Sequence, residues 1–550
     1  MDSTPRSPFS SWKECFVVKR IRMLVPVGFK EEIKDLSELS GPVFMAQLMS
    51  FAVSFVSTVF CGHLGKTELA GVALATAVIN VTGVSIGSGL ASACDTLISQ
   101  TYGSGNLLRI GVILQRAILI LLLACFPCWA VLINSEPILL AFKQEPEVAR
   151  LVQIYVKIFM AALPATFMYS LESRYLQSQG IIWPQVITGF AVNLLNALIN
   201  YIVLYVLKLG VEGSAIANTF SQFSMAGLLY WYIMWKGLHK ATWGGWSIEC
   251  LQDWGSFIRL AIPGMVMMCV EWWTFEIGSF LAGLISEVEL GAQSVVYELA
   301  NIAYMFPVGF SIAGSVRVGN ALGAGETEQA KLSAKTTMFC AGLVSVCLAV
   351  LIGSLKDHIS YVFTYDEQIR ERVAEVMSLY APFILLDAMS AATGGIIRGA
   401  GQQRVGAICN IVGYYGIGFP IGVPLMFAAK LGIKGLWIGL LTCGSLQCTF
   451  LIFYLVRMNW KTVTTEAQIR AGVHESSSNT STQTEDAEDS FSQTDVITLT
   501  DTEETPAVRT PKAELSHRSL VLRRGLALAV MLFILATGIV INVLITYLVT

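Results

Sequence analysis

Met268-Cys-Val-Glu-Trp-Trp-Thr-Phe-Glu-Ile-Gly-Ser-Phe280, followed shortly by Val296-Tyr-Glu-Leu-Ala-Asn301, sets three carboxylates inside runs apolar enough to lie in a bilayer. These are Glu271, Glu276 and Glu298. An ionisable group at mid-membrane costs about 2.5–3.5 kcal/mol to insert, so such residues usually face a cavity and serve a pathway. On a helix, Met268, Trp272, Phe275, Glu276, Ser279 and Gly283 share one stripe, and Tyr297, Glu298, Asn301 and Tyr304 form a second stripe on the next helix. Acids among aromatic rings suit a cationic organic guest, because ring faces attract cations and carboxylates complete the charge. The blander alternative is a satisfied polar network that glues helices together.

The surrounding chain agrees with a membrane setting. It has 550 residues, of which 54% are hydrophobic and only 14% charged, with a mean hydropathy of +0.62. Soluble proteins carry about 25% charged residues, so the chain reads as an all-α polytopic membrane protein. The net charge of −3 suggests no nucleic-acid partner. Residues 1–36 lack the short apolar core and cleavage site of a signal peptide. The cysteines are scattered through apolar runs, where they act as small hydrophobes. The five histidines are too dispersed for a metal site, with His63 and His358 in expected loops. No metal, cofactor or enzymatic chemistry is called for.

Apolar windows of spanning length fall into six, six and one. The expected organisation is an N-terminal segment 1–36, a first six-helix bundle 37–235, a connector 236–253 and a second bundle 254–456. A polar tail 457–520, too rich in Ser, Thr, Asp and Glu to order itself, precedes a thirteenth helix at 521–550. Lys and Arg at the two ends and in the tail favour a cytoplasmic N-terminus, and thirteen spans then put the C-terminus outside.

The two sets of six repeat each other. Pro42 and Pro263 lie in matching contexts, as do Gly71 and Gly291. Tyr102-Gly-Ser-Gly105 matches Leu322-Gly-Ala-Gly325, and Leu209-Gly-Val-Glu-Gly213 matches Leu431-Gly-Ile-Lys-Gly435. The near-constant offset indicates internal duplication. An even number of spans per copy keeps both copies in one orientation, so they form parallel repeats about a pseudo-two-fold axis along the membrane normal. Such transporters bind between the halves and alternate access by rocking. The charge is not duplicated. Glu271, Glu276 and Glu298 correspond to Ser50, Phe55 and Val78, and the fourth intramembrane acid, Asp387, also lies in the second half. The first half offers neutral groups, notably Gln47 and Asn80. Asp95 and Glu172 are expected to be interfacial ion-pair partners.

Phe60-Cys-Gly-His-Leu-Gly-Lys66, Gly111-Val-Ile-Leu-Gln-Arg116, Ala241-Thr-Trp-Gly-Gly-Trp-Ser247, Glu271-Trp-Trp273, Val318-Gly-Asn-Ala-Leu-Gly-Ala-Gly325 and Gly394-Gly-Ile-Ile-Arg-Gly399 resemble the multidrug and toxin extrusion family, in its vertebrate branch. The resemblance covers roughly residues 30–460, and the extra last helix fits that branch. It implies a proton-coupled exporter of organic cations (drugs, toxins and cationic metabolites) that works as a monomer in the plasma membrane. The apical membrane of epithelial cells, as in kidney and liver, is the implied site. By motif it implies proton-coupling and substrate-binding roles for Glu271, Glu276, Glu298 and Asp387, with Trp272, Tyr297 and Tyr304 lining the cavity. Two positions depart from the family pattern: Asp387 stands where a Glu is expected, and Ile384 where a His is expected.

The implied cycle is competition of proton and cation for one set of carboxylates. Exchange of one proton for one monovalent cation moves no net charge, and a pH difference of one unit then supports a concentration ratio of roughly tenfold, about 1.4 kcal/mol. A sodium-driven exporter or a lipid-precursor flippase of the same superfamily is the alternative within transport. A flippase needs cavity bases for its phosphate headgroup, and the second half offers acids. An intramembrane transferase would need paired metal-binding acids on loops and no duplication, and neither condition is met.

Overall fold

The computed structural model describes residues 27–473 and 516–549. The expected N-terminal segment up to residue 26 and the tail between residues 474 and 515 lie outside the described residues. Among those described there is no strand. The long helices are α1 (Phe29–Gly62), α2 (Lys66–Gly103), α3 (Leu107–Ile133), α4 (Pro146–Ser178), α5 (Trp183–Val206), α6 (Val211–Lys236), α7 (Trp254–Ile285), α8 (Glu287–Gly323), α9 (Thr327–Leu355), α10 (Glu367–Ala400), α11 (Gln403–Phe427), α12 (Ile433–Arg457) and α13 (His517–Val549).

Twelve of these are both long and apolar enough to cross a membrane. The other, α6, has 26 residues, about 39 Å at the helical rise, but is diluted by polar side chains. These are spent inside the first bundle. Ser57 on α1 donates to Asn218 at 2.7 Å, and Asn196 on α5 donates to Ser221 at 2.6 Å. Asn218 also bonds the Tyr155 hydroxyl of α4. A satisfied polar network of neutral groups thus glues this bundle together, at little cost in a low-dielectric interior.

The packing repeats with the sequence. α1 rests on α5 as α7 rests on α11, and α4 on α6 as α10 on α12. Between the halves, α1 packs on α8 and α7 on α2, the reciprocal pairing that a two-fold axis produces. The closest approach is also reciprocal. A Cβ at Gly103 would overlap the Asn320 carbonyl, and one at Gly323 would overlap the carbonyl of Gln100, 220 residues before Asn320. Ser99 and its repeat-mate Gly319 abut each other on the axis itself. Only a missing side chain lets backbones meet this closely.

Each half also reaches into the other. Trp254, Phe257, Leu260 and Ala261, at the start of α7, belong to the apolar core of the first bundle. Leu36, at the start of α1, packs with Ala313 and Cys340 of the second. Pro42 and Pro263 lie inside these two helices, just beyond the exchanged turns. The α1 exchange is fastened by Glu32, 3% exposed, which accepts from Arg317, from Gln329 at 2.7 Å and from Ser333 at 2.7 Å. All these contacts lie towards the face that carries the N-terminus, whereas towards the opposite face Phe142 of the first half and Phe280 of the second meet edge to face at 6.2 Å.

The expected tail 457–520 is corrected at both ends. Asn459 caps a helix, Trp460–Arg470, by accepting from the Thr462 amide at 3.3 Å. Val463 and Ala467 bury against the second bundle, and Thr327 and Thr464 share a hydrogen bond of 2.8 Å. Polar composition hid this helix because it needs only a one-sided apolar contact. At the other end, α13 begins at His517. It docks on α3 rather than floating: Asn134 donates to the Gly538 carbonyl at 3.0 Å, and Asn542 to that of Ile133 at 3.1 Å. Arg524 donates to the Leu251 carbonyl at 2.9 Å and lies over the Trp254 ring.

A chain ending after Val473 should therefore retain transport per molecule delivered to the membrane. One ending after Met458 should melt several degrees lower in detergent, because it loses the Trp460–Arg470 contacts. Equal melting temperatures for the two truncations would show that helix to be dispensable.

Candidate functional site

α7 presents three kinds of surface. Trp273, Ile277, Phe280 and Leu284 are exposed, and Val270, Thr274, Gly278 and Ala282 are buried. Between them lie Glu271, Trp272, Phe275, Glu276 and Ser279, all half-buried. Tyr297, Glu298, Asn301 and Tyr304 on α8, and Asp387 on α10, are half-buried as well. These side chains form neither the packed core nor the outermost surface, and the two helices oppose each other along them.

The acids lie in two tiers. In the first, Tyr304 donates its hydroxyl to Glu271 at 2.9 Å. Asp387 lies within electrostatic reach of Glu271 and Tyr304. In the second, Tyr297 donates to Glu276 at 3.3 Å, and Glu298 is within reach of Glu276. Five residues along α7 separate the tiers by about 7.5 Å. The rings supply a frame: Phe275 lies 6.0 Å from Tyr297 and 6.4 Å from Trp437. Trp437 is fully buried and donates to Gln293 at 3.0 Å, fixing the wall behind the second tier.

Three groups were not legible as site residues. Tyr414 comes within electrostatic reach of Glu271 and Asp387. It sits in the wide turn Ile411–Gly418 that interrupts α11, and such π-type turns cluster at functional sites. Gln447 repairs the turn, donating to Asn410 at 3.0 Å, and Asn410 in turn donates to the Met267 carbonyl at 2.9 Å. The glycines of Gly413-Tyr-Tyr-Gly416 were the available signal. Arg398 donates to Ser311 at 2.8 Å, lies 3.7 Å from Asp95 of the other half, and is within reach of Glu271. It thereby joins the first tier to the contact between the halves.

Asp95 is an ion-pair partner, held by Arg174 at 2.6 Å. Glu172 is not. One of its carboxylate oxygens is buried without a hydrogen-bond partner among the described residues, because Arg174, two positions on, is spent on Asp95 and on the Ser88 carbonyl. Gln47 is half-buried on α1, and Asn80 opens the wide turn Asn80–Val84 of α2. Among the described residues neither hydrogen-bonds to the acids of the second half. Ile384 is fully buried in the second bundle's core, so its side chain packs there instead of facing the acids beside Asp387.

The MatE family model matches twice, over residues 42–202 and 263–423, at the offset of the duplication. The chain belongs to the multidrug and toxin extrusion family. It is 62% identical over 544 residues to multidrug and toxin extrusion protein 1 of Danio rerio, covering 95% of this chain and 92% of that one. It is 51% identical over 545 residues to the protein of the same name from Homo sapiens, covering 96% of each. The crystal structure of the eukaryotic MATE transporter AtDTX14 superposes with a TM-score of 0.78 at 28% identity, covering 81% of this chain and all of that one. A multidrug resistance MATE family transporter in an outward-facing conformation shares the fold, with a TM-score of 0.69 at 17% identity over 79% of this chain and 97% of that one. Those structures share the two-bundle architecture. The chain is accordingly a multi-pass membrane transporter, not an enzyme.

Tyr304→Phe keeps the ring and removes one hydrogen bond to a charged acceptor, worth roughly 1.5–3 kcal/mol. Initial rates of cation exchange should fall by about tenfold or more at equal protein in the membrane. Tyr297→Phe, which removes the longer bond, should cost less. Unchanged rates in Tyr304→Phe would reduce that pair to scaffolding.

Proposed function

We propose that the protein exports organic cations, including drugs and toxins, in exchange for protons, and that Glu271, Glu276, Glu298 and Asp387 carry the exchange. The observation that carries this reading is the confinement of all four acids to one half of a duplicated fold, in two tiers each held by a tyrosine. A carboxylate with one phenolic donor keeps lone pairs free for a proton or a cation, unlike Glu32, whose oxygens are occupied by Arg317, Gln329 and Ser333. The flanking rings of Trp272, Phe275, Tyr297 and Tyr304 favour a cationic guest over a hydrated metal ion. Gln47, Asn80 and Asn301 contribute neutral polar lining.

The protein sits in the plasma membrane, at the apical surface of epithelial cells, with its N-terminus in the cytoplasm and its C-terminus outside. The close contacts at Gly103 and Gly323 then lie on the cytoplasmic side. Protons arriving from outside neutralise the carboxylates and release the cation. The halves then rock, the cytoplasm removes the protons, and a new cation enters. Arg398 links the two events, since Glu271 and Asp95 compete for its charge. A single copy contains the whole site.

Proteoliposomes carrying an outward proton gradient, loaded with no sodium, should accumulate a labelled organic cation. Glu271→Gln, Glu276→Gln and Glu298→Gln should each abolish that accumulation at unchanged protein content. Asp387→Asn should reduce accumulation by less than Glu271→Gln does, with Asp387 tuning the field of the cavity rather than contacting the guest. Accumulation that requires a sodium gradient and ignores pH would replace proton coupling by sodium coupling.

A further inference from the structure

On the face that carries the N-terminus, away from the acids of α7, α8 and α10, a crevice of about 620 Å³ opens between α1, the α4–α5 turn and α8. Asp35, Glu38, Gln179, Gly180, Trp183, Arg317 and Asn320 are among the residues that line it. Its repeat-mate is already filled. There, Arg470 from the helix that follows α12 donates to the Gln100 side chain at 3.1 Å and to the Ala400 carbonyl at 3.2 Å, over Gly401. At the repeat offset Gln100 becomes Asn320, Ala400 becomes Gln179, and Gly401 becomes Gly180. The two glycines share the same left-handed turn, with φ of 78° in both. The open crevice therefore repeats the backbone and side-chain cradle that holds Arg470, and among the described residues no counterpart of Arg470 enters it; Arg317 at its wall is turned to Glu32 and Asp35. The crevice's side-chain acceptor, Asn320 Oδ1, is buried and has no hydrogen-bond partner among the described residues.

The reason for the difference between the two crevices is topological. After α12 the chain is free to turn back as Trp460–Arg470, whereas after α6 it must run on to α7. That connector is held on α3 and α4: Thr242 bonds the Tyr175 hydroxyl at 2.5 Å, and Gln115 donates to the Gly245 carbonyl at 2.7 Å.

The two crevices also differ in charge. Where the filled one has exposed Arg259 and Arg404, the open one has Glu38 and Trp183. Glu38 is well exposed, with only the equally exposed Lys34 nearby at 3.7 Å. Asp35 stands 3.3 Å from Arg317, whose other bonds go to Glu32. Two acids, Asp35 and Glu38, and one base, Arg317, line the crevice; Arg317 is already held by Glu32 and Asp35, and Trp183, 61% exposed, offers a ring face to a cation.

We propose that this crevice is a second binding site, selective for small organic cations that bear a guanidinium group. It deepens the proposed export of cations. With the N-terminus cytoplasmic, the crevice faces the compartment from which cations leave. A cation held there is positioned at the α1–α8 seam, where the halves must part to admit it.

Equilibrium binding of radiolabelled methylguanidinium to the purified full-length protein separates this site from the acids of α7. Wild type should bind at two sites, and the Glu271→Gln/Glu276→Gln variant should keep one. Adding Glu38→Gln/Trp183→Ala should weaken that remaining site by about tenfold or more, and Glu38→Asp alone should largely preserve it. Glu38→Gln/Trp183→Ala by itself should leave one site and proton-driven exchange at saturating cation, with a raised KM. Loss of all binding in Glu271→Gln/Glu276→Gln would overturn the crevice site, as would a residual site indifferent to Glu38→Gln/Trp183→Ala or a wild type that binds no probe. Failure of the export reading is a distinct result: a crevice that binds methylguanidinium in a protein that shows no proton-driven transport.

Discussion

The crossing of α2 and α8 at Gly103 and Gly323 is the contact around which the molecule is arranged. Two helices can share one axis at backbone distance only if neither carries a side chain there, and here each glycine faces a carbonyl of the other repeat. In a bilayer, where apolar side chains gain nothing by leaving lipid for protein, such close approach is a principal source of helix association. Polar groups secure it. Gln100 donates to the Gly399 carbonyl at 2.9 Å, and Gln403 to Thr96 at 2.6 Å.

A symmetric scaffold carries asymmetric chemistry. In the first half Ser57, Asn196, Asn218 and Ser221 bond one another across α1, α5 and α6. In the second the polar side chains include four carboxylates, two of which, Glu271 and Glu276, each accept from a tyrosine. Duplication supplies two like bundles, and divergence confines Glu271, Glu276, Glu298 and Asp387 to one of them. Arg398 crosses between the two arrangements: it contacts Ser311 in its own half and faces Asp95 in the other. The same divergence separates the two crevices on the N-terminal face, one closed by Arg470 and the other left open beside Glu38 and Trp183.

Buried charge is handled differently according to purpose. Glu32 and Asp95 are fully engaged by guanidinium groups and hold the structure together, since a buried charge is tolerated when paired and hydrogen-bonded. Glu271 and Glu276 are left with spare acceptor capacity. Glu172 has neither a pairing partner nor an aromatic frame like that of α7 and α8, and the structure supplies no role for it.

The spans, the duplication, the parallel arrangement of the halves and the concentration of acids in the second half were legible in the sequence, because each is a local or periodic property. Hydropathy windows, proline and glycine offsets and the stripes on α7 and α8 need no knowledge of what lies opposite. What only the tertiary structure decided is who meets whom across hundreds of residues. Tyr304, not a neighbouring carboxylate, is the partner of Glu271. Arg174 serves Asp95 and leaves Glu172 alone. The first turns of α1 and α7 belong to the opposite bundle's core, and a polar stretch after residue 457 folds because one face of it finds a wall. Composition scores a residue by its own chemistry, whereas these outcomes depend on the field and the surface that distant residues present to it.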